Sequence, residues 1–201
     1  MKIAIIKYNA GNIKSVSNAL QRLDVGHTII ADHEEIKSAD KVIFPGVGEA
    51  STTMKHLIDK KLDILIKDLK QPVLGICLGM QLMCRYSEEG KTPCLGIFDQ
   101  DVKLFHPETA GVENVFKVPH IGWNSIYKLK NGIFTGKMEG QYVYFVHSYY
   151  VEKGAYTAAV TNYIVPFSAA LQKDNFYAVQ FHPEKSGAVG EKILREFVWR
   201  G

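Results

Sequence analysis

The chain has 201 residues, 46% hydrophobic and 22% charged, which suits one well-buried domain and excludes a disordered chain. The formal net charge is only +3 and the basic residues are scattered among acids, so no nucleic-acid partner is indicated. No apolar run is long enough for a secretory signal or a membrane span, and three irregularly spaced cysteines do not make a disulfide framework. We therefore expect one cytoplasmic domain over residues 1–201, with no membrane partner.

The first half of the chain alternates between strand and helix patterns. Apolar runs predict strands at 2–8, 27–31, 41–44 and 73–76. Helical spacing predicts helices over 13–23, over 51–69 as one helix or a broken pair, and from 80 onward. Turn-forming residues 9–12 and 45–48 follow the first and third strands, and Pro45 is expected to end the third. This order predicts an open, mostly parallel sheet flanked by helices.

The second half is richer in short β-type segments. They are separated by Gly, Asn and Pro and lie at 101–105, 115–118, 125–127, 141–146, 158–161, 168–171 and 176–181. A last helix is predicted at about 190–199. The predicted fold class is therefore α/β, with an open, mostly parallel central sheet, flanking helices and antiparallel β additions in the second half.

Cys77 lies where a predicted strand turns sharply into a predicted helix, with Gly75 and Gly79 on either side. This is the pattern of a nucleophile elbow, in which glycines remove side chains that would clash. The turn aims the thiol above the carboxyl edge of the sheet, at a helix N-terminus that favours the thiolate, and the N–H of Leu78 can donate to an oxyanion. The alternative is a buried cysteine in a tight turn, and core packing is also what we expect of Cys84 and Cys94.

His182-Pro183-Glu184 follows the last predicted strand, and Pro183 is expected to prevent that strand from continuing. In extended chain His182 and Glu184 point to the same side, so the carboxylate can orient the imidazole as a base for a thiol. By itself the tripeptide also suits a solvated loop. Together with Cys77 it predicts a cysteine nucleophile with its base. The histidines lack metal-ligand spacing, so no metal and no cofactor are predicted.

These two motifs, in this order, resemble those of the class I, or triad-type, glutamine amidotransferases, and the resemblance spans essentially the whole chain. It implies that Cys77 attacks the side-chain amide of glutamine and that His182 protonates the departing ammonia. Glu184 would hold the imidazole, and water would then release glutamate from the thioester. The resemblance also implies the fold of that family.

The segment from Pro45 to Gly48 resembles the oxyanion loop of the family, although an ordinary strand-to-helix turn would have similar chemistry. The implied oxyanion and loop residues are Gly46, Val47, Gly48 and Leu78. The residues implied to bind glutamine are Gly48, Gln81, Ser148 and Tyr149. Glu49-Ala50 departs from the family pattern, in which an aromatic residue is expected soon after the loop.

Within the class, three segments are similar to the glutaminase subunits of imidazole glycerol phosphate synthases, enzymes of histidine biosynthesis. They are residues 119–124 (PHIGWN), residues 144–149 (YFVHSY) and Lys185-Ser186. The similarity implies a heterodimer in which ammonia passes to the cyclase subunit. The residues implied to face the cyclase are Asn12, Trp123, Tyr144 and Lys185. Core packing for Trp123 and a half-buried strand position for Tyr144 are the simpler alternatives.

Three other functions are compatible with parts of the sequence. Amidase subunits that serve pyridoxal phosphate or anthranilate synthesis share both motifs, and only residues 119–124 argue against them. A cysteine hydrolase of the protease or chaperone type usually carries His directly after the nucleophile, where this chain has Leu78. A subunit that only docks a synthase would be expected to have lost the nucleophile or the base. Because the motifs use both ends of the chain, we expect a separate ammonia-consuming partner that stimulates the amidase.

Overall fold

A computed structural model describes residues 1–8, 12–110 and 116–199. Its helices are α1 Ile13–Arg22, α2 His33–Lys37, α3 Ala50–Asp59, α4 Leu62–Asp68, α5 Leu78–Met83 and α6 Gly187–Trp199. Its first seven strands are β1 Ile3–Ile6, β2 His27–Ile30, β3 Lys41–Gly46, β4 Val73–Cys77, β5 Tyr86–Ser87, β6 Thr92–Pro93 and β7 Asp101–Leu104. The others are β8 His120–Ser125, β9 Tyr142–His147, β10 Tyr149–Val151, β11 Thr157–Tyr163, β12 Val165–Lys173 and β13 Phe176–Val179.

Eleven of these strands form one sheet in the order β2-β1-β3-β4-β13-β12-β10-β7-β5-β6, with β11 paired to β12. The pairings from β2 through β1, β3 and β4 to β13 are all parallel. From β13 to β7 the pairings are antiparallel, and β8 and β9 form a separate antiparallel pair. The predicted α/β class, with a parallel centre and antiparallel additions from the second half, is confirmed.

Two apolar clusters cover the two faces of the parallel sheet. Along β1 the side chains of Ile3 and Ile5 join one cluster, while those of Ala4 and Ile6 join the other, as the two-residue period of a strand requires. The first cluster is completed by α1 and α6, and the second by α3, α4 and α5. Both faces are therefore covered, which explains why β1, β3 and β4 are buried along their whole length.

Most predicted elements of the first half are present, with two corrections. Helix α2 was not predicted; Asp32 caps it by accepting a hydrogen bond from the N–H of Glu35, so the capping signal was available in the sequence. Strand β3 does not end at Pro45 but runs on to Gly46. Pairing with β1 ends at Ile43, so the missing N–H of Pro45 costs no ladder hydrogen bond on that side.

The segment 51–69 is the broken pair of the two alternatives. Helix α3 ends at Asp59, and α4 begins at Leu62 after Lys61, which has a positive φ of 56°. None of the helices in the described ranges is long and apolar enough to cross a membrane.

The second half contains larger errors of prediction. The strand expected at 125–127 lies at His120–Ser125, and residues 116–118 form no strand. The first error arises because β8 carries polar residues and a glycine, which hide its strand pattern. The short strands β5, β6 and β10 were also missed. The turn predicted at 9–11 and the start of the strand predicted at Val115 fall outside the described residues.

Candidate active site

Cys77 occupies the sharp turn between β4 and α5. Its backbone has φ 54° and ψ −111°, a conformation that a residue with a side chain seldom adopts. The turn brings backbones so close that a Cβ on Gly79 would lie 2.1 Å from the carbonyl oxygen of Phe44. On Gly75 it would lie 2.8 Å from the sulfur of Met83. The two glycines therefore make the elbow possible, as the sequence predicts.

A cavity of about 330 Å³ opens beside the thiol, a volume within the range of small-molecule sites. The predicted site residues that line it are Val47, Gly48, Cys77, Leu78, Gln81, Ser148, Tyr149 and His182. Gly46 and Glu184 do not line it; they pack behind the residues that do. One cavity therefore unites the elbow, the loop after β3, the loop after β13 and the segment between β9 and β10.

His182 and Glu184 form a buried pair, with Nδ1 of the imidazole 2.7 Å from Oε1 of the carboxylate. The contact is the predicted one, but its local geometry differs from the prediction. Residues Pro183–Lys185 form a 3₁₀ turn rather than extended chain, so the turn folds the carboxylate back onto the ring. The side-chain amide of Asn12 donates to the same Oε1 at 2.5 Å.

The other ring nitrogen of His182, Nε2, is buried and has no hydrogen-bond partner of good geometry among the described residues. His182 and Cys77 line the same cavity, and their side chains interact. Burial by itself lowers the pKa of His182, but the interactions with Cys77 and Glu184 outweigh it and raise the pKa above its usual value. The arrangement therefore favours the protonated, imidazolium form of His182 beside Cys77.

The loop after β3 is held from behind by Tyr8. The buried Tyr8 hydroxyl donates to the carbonyl oxygen of Pro45 at 2.5 Å, and it lies 2.8 Å from where a Cβ on Gly46 would be. The contacts of Glu49-Ala50 are those of a helix cap: Glu49 accepts from the N–H groups of Ser51 and Thr52. The hydrogen bond from Thr52 is the main cause that lowers the pKa of Glu49 to about 2. The loop thus leads into α3 without the aromatic residue expected from the family pattern.

Comparison with known sequences agrees with this geometry. The sequence model of the family described as glutamine amidotransferase class-I matches residues 4–200. The chain belongs to the class I glutamine amidotransferases.

Individual relatives of this amidotransferase are similar over almost its full length. "Imidazole glycerol phosphate synthase subunit HisH" of Bacteroides fragilis strain YCH46 is 63% identical over 98% of this chain and 99% of that protein. The protein of the same name from Escherichia coli K12 is 44% identical over 98% and 99% of the two chains. A crystal structure from Thermoplasma acidophilum, described as that of a "putative gmp synthase subunit a protein", has a TM-score of 0.72 and 22% identity. It covers 98% of this chain and is covered to 92%, which shows a shared fold.

Two polar residues of the amidotransferase site were not predicted. Gln180, fully buried, places its amide nitrogen 3.8 Å from Sγ of Cys77 and accepts from Nε2 of Gln81 at 2.9 Å. A lone glutamine inside an apolar strand pattern, two residues before His182, was the available signal. Glu89 is the one carboxylate among the described residues that line the cavity. Burial is the main cause that raises its pKa, and the nearby Glu49 adds to this.

Gln81 uses its amide nitrogen within the protein. Besides its bond to Gln180, Nε2 donates to the carbonyl oxygen of Tyr149 at 3.0 Å. Both amide hydrogens are therefore occupied, and its carbonyl oxygen is the group that remains for a ligand. Within the described residues, no group of three or more His, Cys, Asp or Glu side chains is arranged to hold a metal ion.

Three of the predicted partner-facing residues form an aromatic and basic patch on β8, β9 and the 3₁₀ turn Pro183–Lys185, in which Trp123 and Lys185 are exposed and Tyr144 is half-buried. Trp123 is 55% exposed and packs edge to face against Tyr144, its partner in the strand register. Nζ of Lys185 lies 6.0 Å above the Tyr144 ring. Ile121 and Tyr142 extend the exposed surface on the same strands. Core packing for Trp123 is therefore wrong, whereas the contact of these residues with a cyclase stays a prediction.

Proposed function

We propose that this amidotransferase is the glutaminase subunit of an imidazole glycerol phosphate synthase in histidine biosynthesis. It hydrolyses glutamine to glutamate and ammonia through a thioester on Cys77, and it passes ammonia to a cyclase subunit in a cytoplasmic heterodimer. The observation that carries the chemistry is the His182 imidazole, hydrogen-bonded to Glu184 at 2.7 Å and interacting with Cys77 at the cavity. The 63% and 44% identity to the relatives described above, over almost the full length of the chain, supports a role in histidine biosynthesis.

In the first half of the reaction, the thiolate of Cys77 attacks the side-chain amide carbon of glutamine and forms a tetrahedral intermediate. The protonated Nε2 of His182 donates its proton to the amide nitrogen. The carbon–nitrogen bond then breaks, ammonia leaves, and a thioester between Cys77 and the glutamyl group remains. Glu184 stabilises the imidazolium that this step requires, because its carboxylate accepts from Nδ1.

In the second half, His182 accepts a proton from water as the water oxygen attacks the thioester carbon. The carbon–sulfur bond breaks, glutamate leaves, and the thiolate and the imidazolium are regenerated. The negative oxygen of both tetrahedral intermediates would accept from the N–H of Leu78 and from the loop Gly46 to Gly48. Each such donor typically contributes about 2.7–4 kcal/mol to lowering the barrier.

The cavity offers glutamine groups of the right chemistry at both ends. Glu89 has a carboxylate for the α-ammonium group of glutamine, at the opposite chemical end of the substrate from the amide that Cys77 attacks. Gln81 can accept through its carbonyl oxygen, and Ser148 and Tyr149 line the wall. Gly48 would allow close approach of the substrate.

The partner surface would be the patch of Trp123, Tyr144 and Lys185, because an exposed tryptophan that packs on a half-buried tyrosine and is flanked by a cation is typical of a protein interface. Asn12 is linked to the catalytic residues directly, because its side-chain amide donates a hydrogen bond to Glu184. A partner that contacts Asn12 would therefore act on the orientation of the imidazole. This link supports weak glutaminase activity of the isolated subunit and strong stimulation by the cyclase with its nucleotide ligand.

The test is to follow amide-¹⁵N glutamine in a mixture of this protein, the cyclase and the phosphoribulosyl formimino carboxamide ribotide. Label in imidazole glycerol phosphate supports both the reaction and the partner. Release of labelled ammonia without label in that product would overturn the partner and favour an amidase subunit of another synthase. Equal glutaminase rates with and without the liganded cyclase would overturn the stimulation.

A further inference from the structure

Two buried histidines outside the proposed reaction contact each other beside the glutamine cavity, and one of them, His147, lines it. His120 begins β8 and His147 ends β9, and the two face each other in the strand register. They are only 4% and 6% exposed, and Nδ1 of His120 lies 3.1 Å from Nε2 of His147. A direct hydrogen bond between two buried imidazoles requires that one ring donates and the other accepts.

The contacts of the two rings determine which nitrogens carry hydrogen. Nδ1 of His147 lies 2.7 Å from the carbonyl oxygen of Tyr149, which can only accept, so Nδ1 of His147 is the protonated nitrogen. Its Nε2 must then accept, and Nδ1 of His120 must donate. Nε2 of His120 accepts in turn from the side-chain amide of Asn124 at 3.4 Å. The hydrogen bonds therefore run in one direction, from Asn124 to Tyr149, through two neutral rings.

The environment keeps both rings neutral and fixed. Burial lowers the pKa of His120 to about 4. Burial is also the main cause that lowers the pKa of His147, to about 3. The His120 ring stacks on Tyr163 with 3.9 Å between ring centroids, and on Phe145 with 4.9 Å. The His147 ring packs against Phe105 and Phe167, with 5.4 and 5.3 Å between ring centroids, so neither ring can turn without losing aromatic contacts.

The chain of hydrogen bonds ends in the wall of the glutamine cavity. The carbonyl oxygen of Tyr149 accepts from His147 and also from Nε2 of Gln81 at 3.0 Å. Gln81 is bound to Gln180, which lies next to Cys77. His147 and Tyr149 themselves line the cavity. The two imidazoles therefore link β8, which carries the exposed Trp123, with the residues proposed to bind glutamine.

We propose that His120 and His147 are positioning residues that set the affinity of the site for glutamine, by holding the cavity wall at Ser148 and Tyr149 against β8. The proposal rests on the proposed glutaminase function. Neither ring lies in the chemical steps, so their hydrogen bonds act on the placement of the substrate and of Gln81. Loss of these bonds is expected to raise KM for glutamine much more than it lowers kcat.

The test uses the full-length chain in complex with its cyclase. His120→Phe keeps the stacking on Tyr163 but removes both hydrogen bonds, and it is expected to raise KM for glutamine about tenfold while kcat stays within about threefold. His120→Gln can still donate to His147 and accept from Asn124, so it is expected to restore KM to within about threefold of the wild type. His27→Phe is the matched control, because His27 also bonds through both nitrogens, to Ser17 and to the carbonyl of Val25, in another part of the structure.

An unchanged KM in His120→Phe would overturn the proposal. An equal increase in His120→Phe and His120→Gln would also overturn it, because restoring the donor and the acceptor would then not restore KM. If His120→Phe does not fold, ¹⁵N NMR of the wild-type histidines decides the matter. Neutral rings with hydrogen on Nδ1 are expected for both, and hydrogen on Nε2 of either ring would overturn it. Failure of the proposed function has a different result, because the wild-type complex would then not hydrolyse glutamine.

Discussion

The hydroxyl of Tyr8 donates a hydrogen bond to the carbonyl oxygen of Pro45 at 2.5 Å, behind the loop that resembles an oxyanion hole. Tyr8 follows β1 closely, whereas Pro45 lies near the end of β3, and the two meet because β1 and β3 are neighbours in the sheet. The bond fixes the peptide that precedes Gly46. It therefore connects the conformation of the loop to the centre of the fold.

Tyr8→Phe removes only this hydroxyl and leaves the buried carbonyl of Pro45 without its donor. We expect kcat for glutamine hydrolysis to fall about tenfold and the free energy of unfolding to fall by about 1–3 kcal/mol. Steady-state glutaminase assays and urea unfolding measure the two effects. Tyr127→Phe is the control, since that hydroxyl bonds to Ser125 on β8, outside the loop. A kcat equal to that of the wild type would show that the loop does not depend on Tyr8.

Glu184→Gln tests the orientation of the imidazole. The amide oxygen can still accept from Nδ1, but without the negative charge it stabilises a positive ring less, and the coulombic contribution of Glu184 to the raised pKa of His182 is lost. We expect kcat to fall about 10²–10⁴-fold, and the alkaline limb of the kcat/KM profile, where the His182 imidazolium loses its proton, to shift to lower pH. The pH profile of glutaminase activity checks this, and a variant with the profile and kcat of the wild type would contradict the role of Glu184.

The lowered pKa values of His120 and His147 predict a loss of stability in acid. Their folded values of about 4 and about 3 lie below the ordinary value of 6.5, so the unfolded chain binds more protons between these limits. The free energy of unfolding should therefore fall as pH decreases from 6.5 towards 4, by up to about 1.4 kcal/mol per pH unit for each ring. The pKa of His182 is raised in the folded chain, so its contribution to the free energy of unfolding decreases as pH rises above the ordinary histidine value of 6.5.

Urea unfolding at a series of pH values measures this slope. In His120→Phe one of the two imidazoles is missing. The slope of the free energy of unfolding against pH, between pH 6.5 and 4, should therefore be smaller by up to about 1.4 kcal/mol per pH unit, which corresponds to one proton. A wild-type stability that is constant across this range, or an equal slope in the variant, would show that the rings are not buried in neutral form.

Trp123→Ala tests the partner surface. Because this side chain is 55% exposed in the isolated chain, its truncation should leave the free energy of unfolding within about 0.5 kcal/mol of the wild type. The Kd for the cyclase should increase about tenfold or more, since central aromatic residues dominate protein interfaces. Titration calorimetry against the cyclase measures it, with Trp199→Ala as the control at another exposed tryptophan. Equal Kd values for the two variants would place the interface elsewhere.

The sequence predicted the parts of the site that are local in the chain. The elbow at Cys77 needs glycines at fixed spacing, and His182 lies two residues before its carboxylate, so both could be found by pattern. That they meet follows from the parallel pairing of β13 with β4, which brings the loop after β13 next to the elbow. An α/β pattern predicts that both loops lie at the carboxyl edge of the sheet, but it does not predict that β13 pairs with β4.

The residues that were missed depend on contacts that no local pattern contains. Gln180 and Tyr8 are single residues in or beside apolar strands, and their partners lie 103 and 37 positions away in the chain. Glu89 enters the cavity from a 3₁₀ turn that was not predicted. Strand β8 was misplaced because its inward side chains, such as His120, are polar and satisfied by tertiary hydrogen bonds rather than apolar.

The central claim is that the Cys77 thiol is the group that reacts with the amide carbon of glutamine. Cys84 and Cys94 serve as internal controls, since burial raises the pKa of Cys84 and raises that of Cys94 to about 12. Treatment with a glutamine-mimicking electrophile, followed by peptide mass spectrometry, reads all three thiols in one measurement. We predict a mass increase on Cys77 that excess glutamine prevents, and none in Cys77→Ser. Modification of another cysteine, or glutamine hydrolysis that persists in Cys77→Ser, would contradict the account.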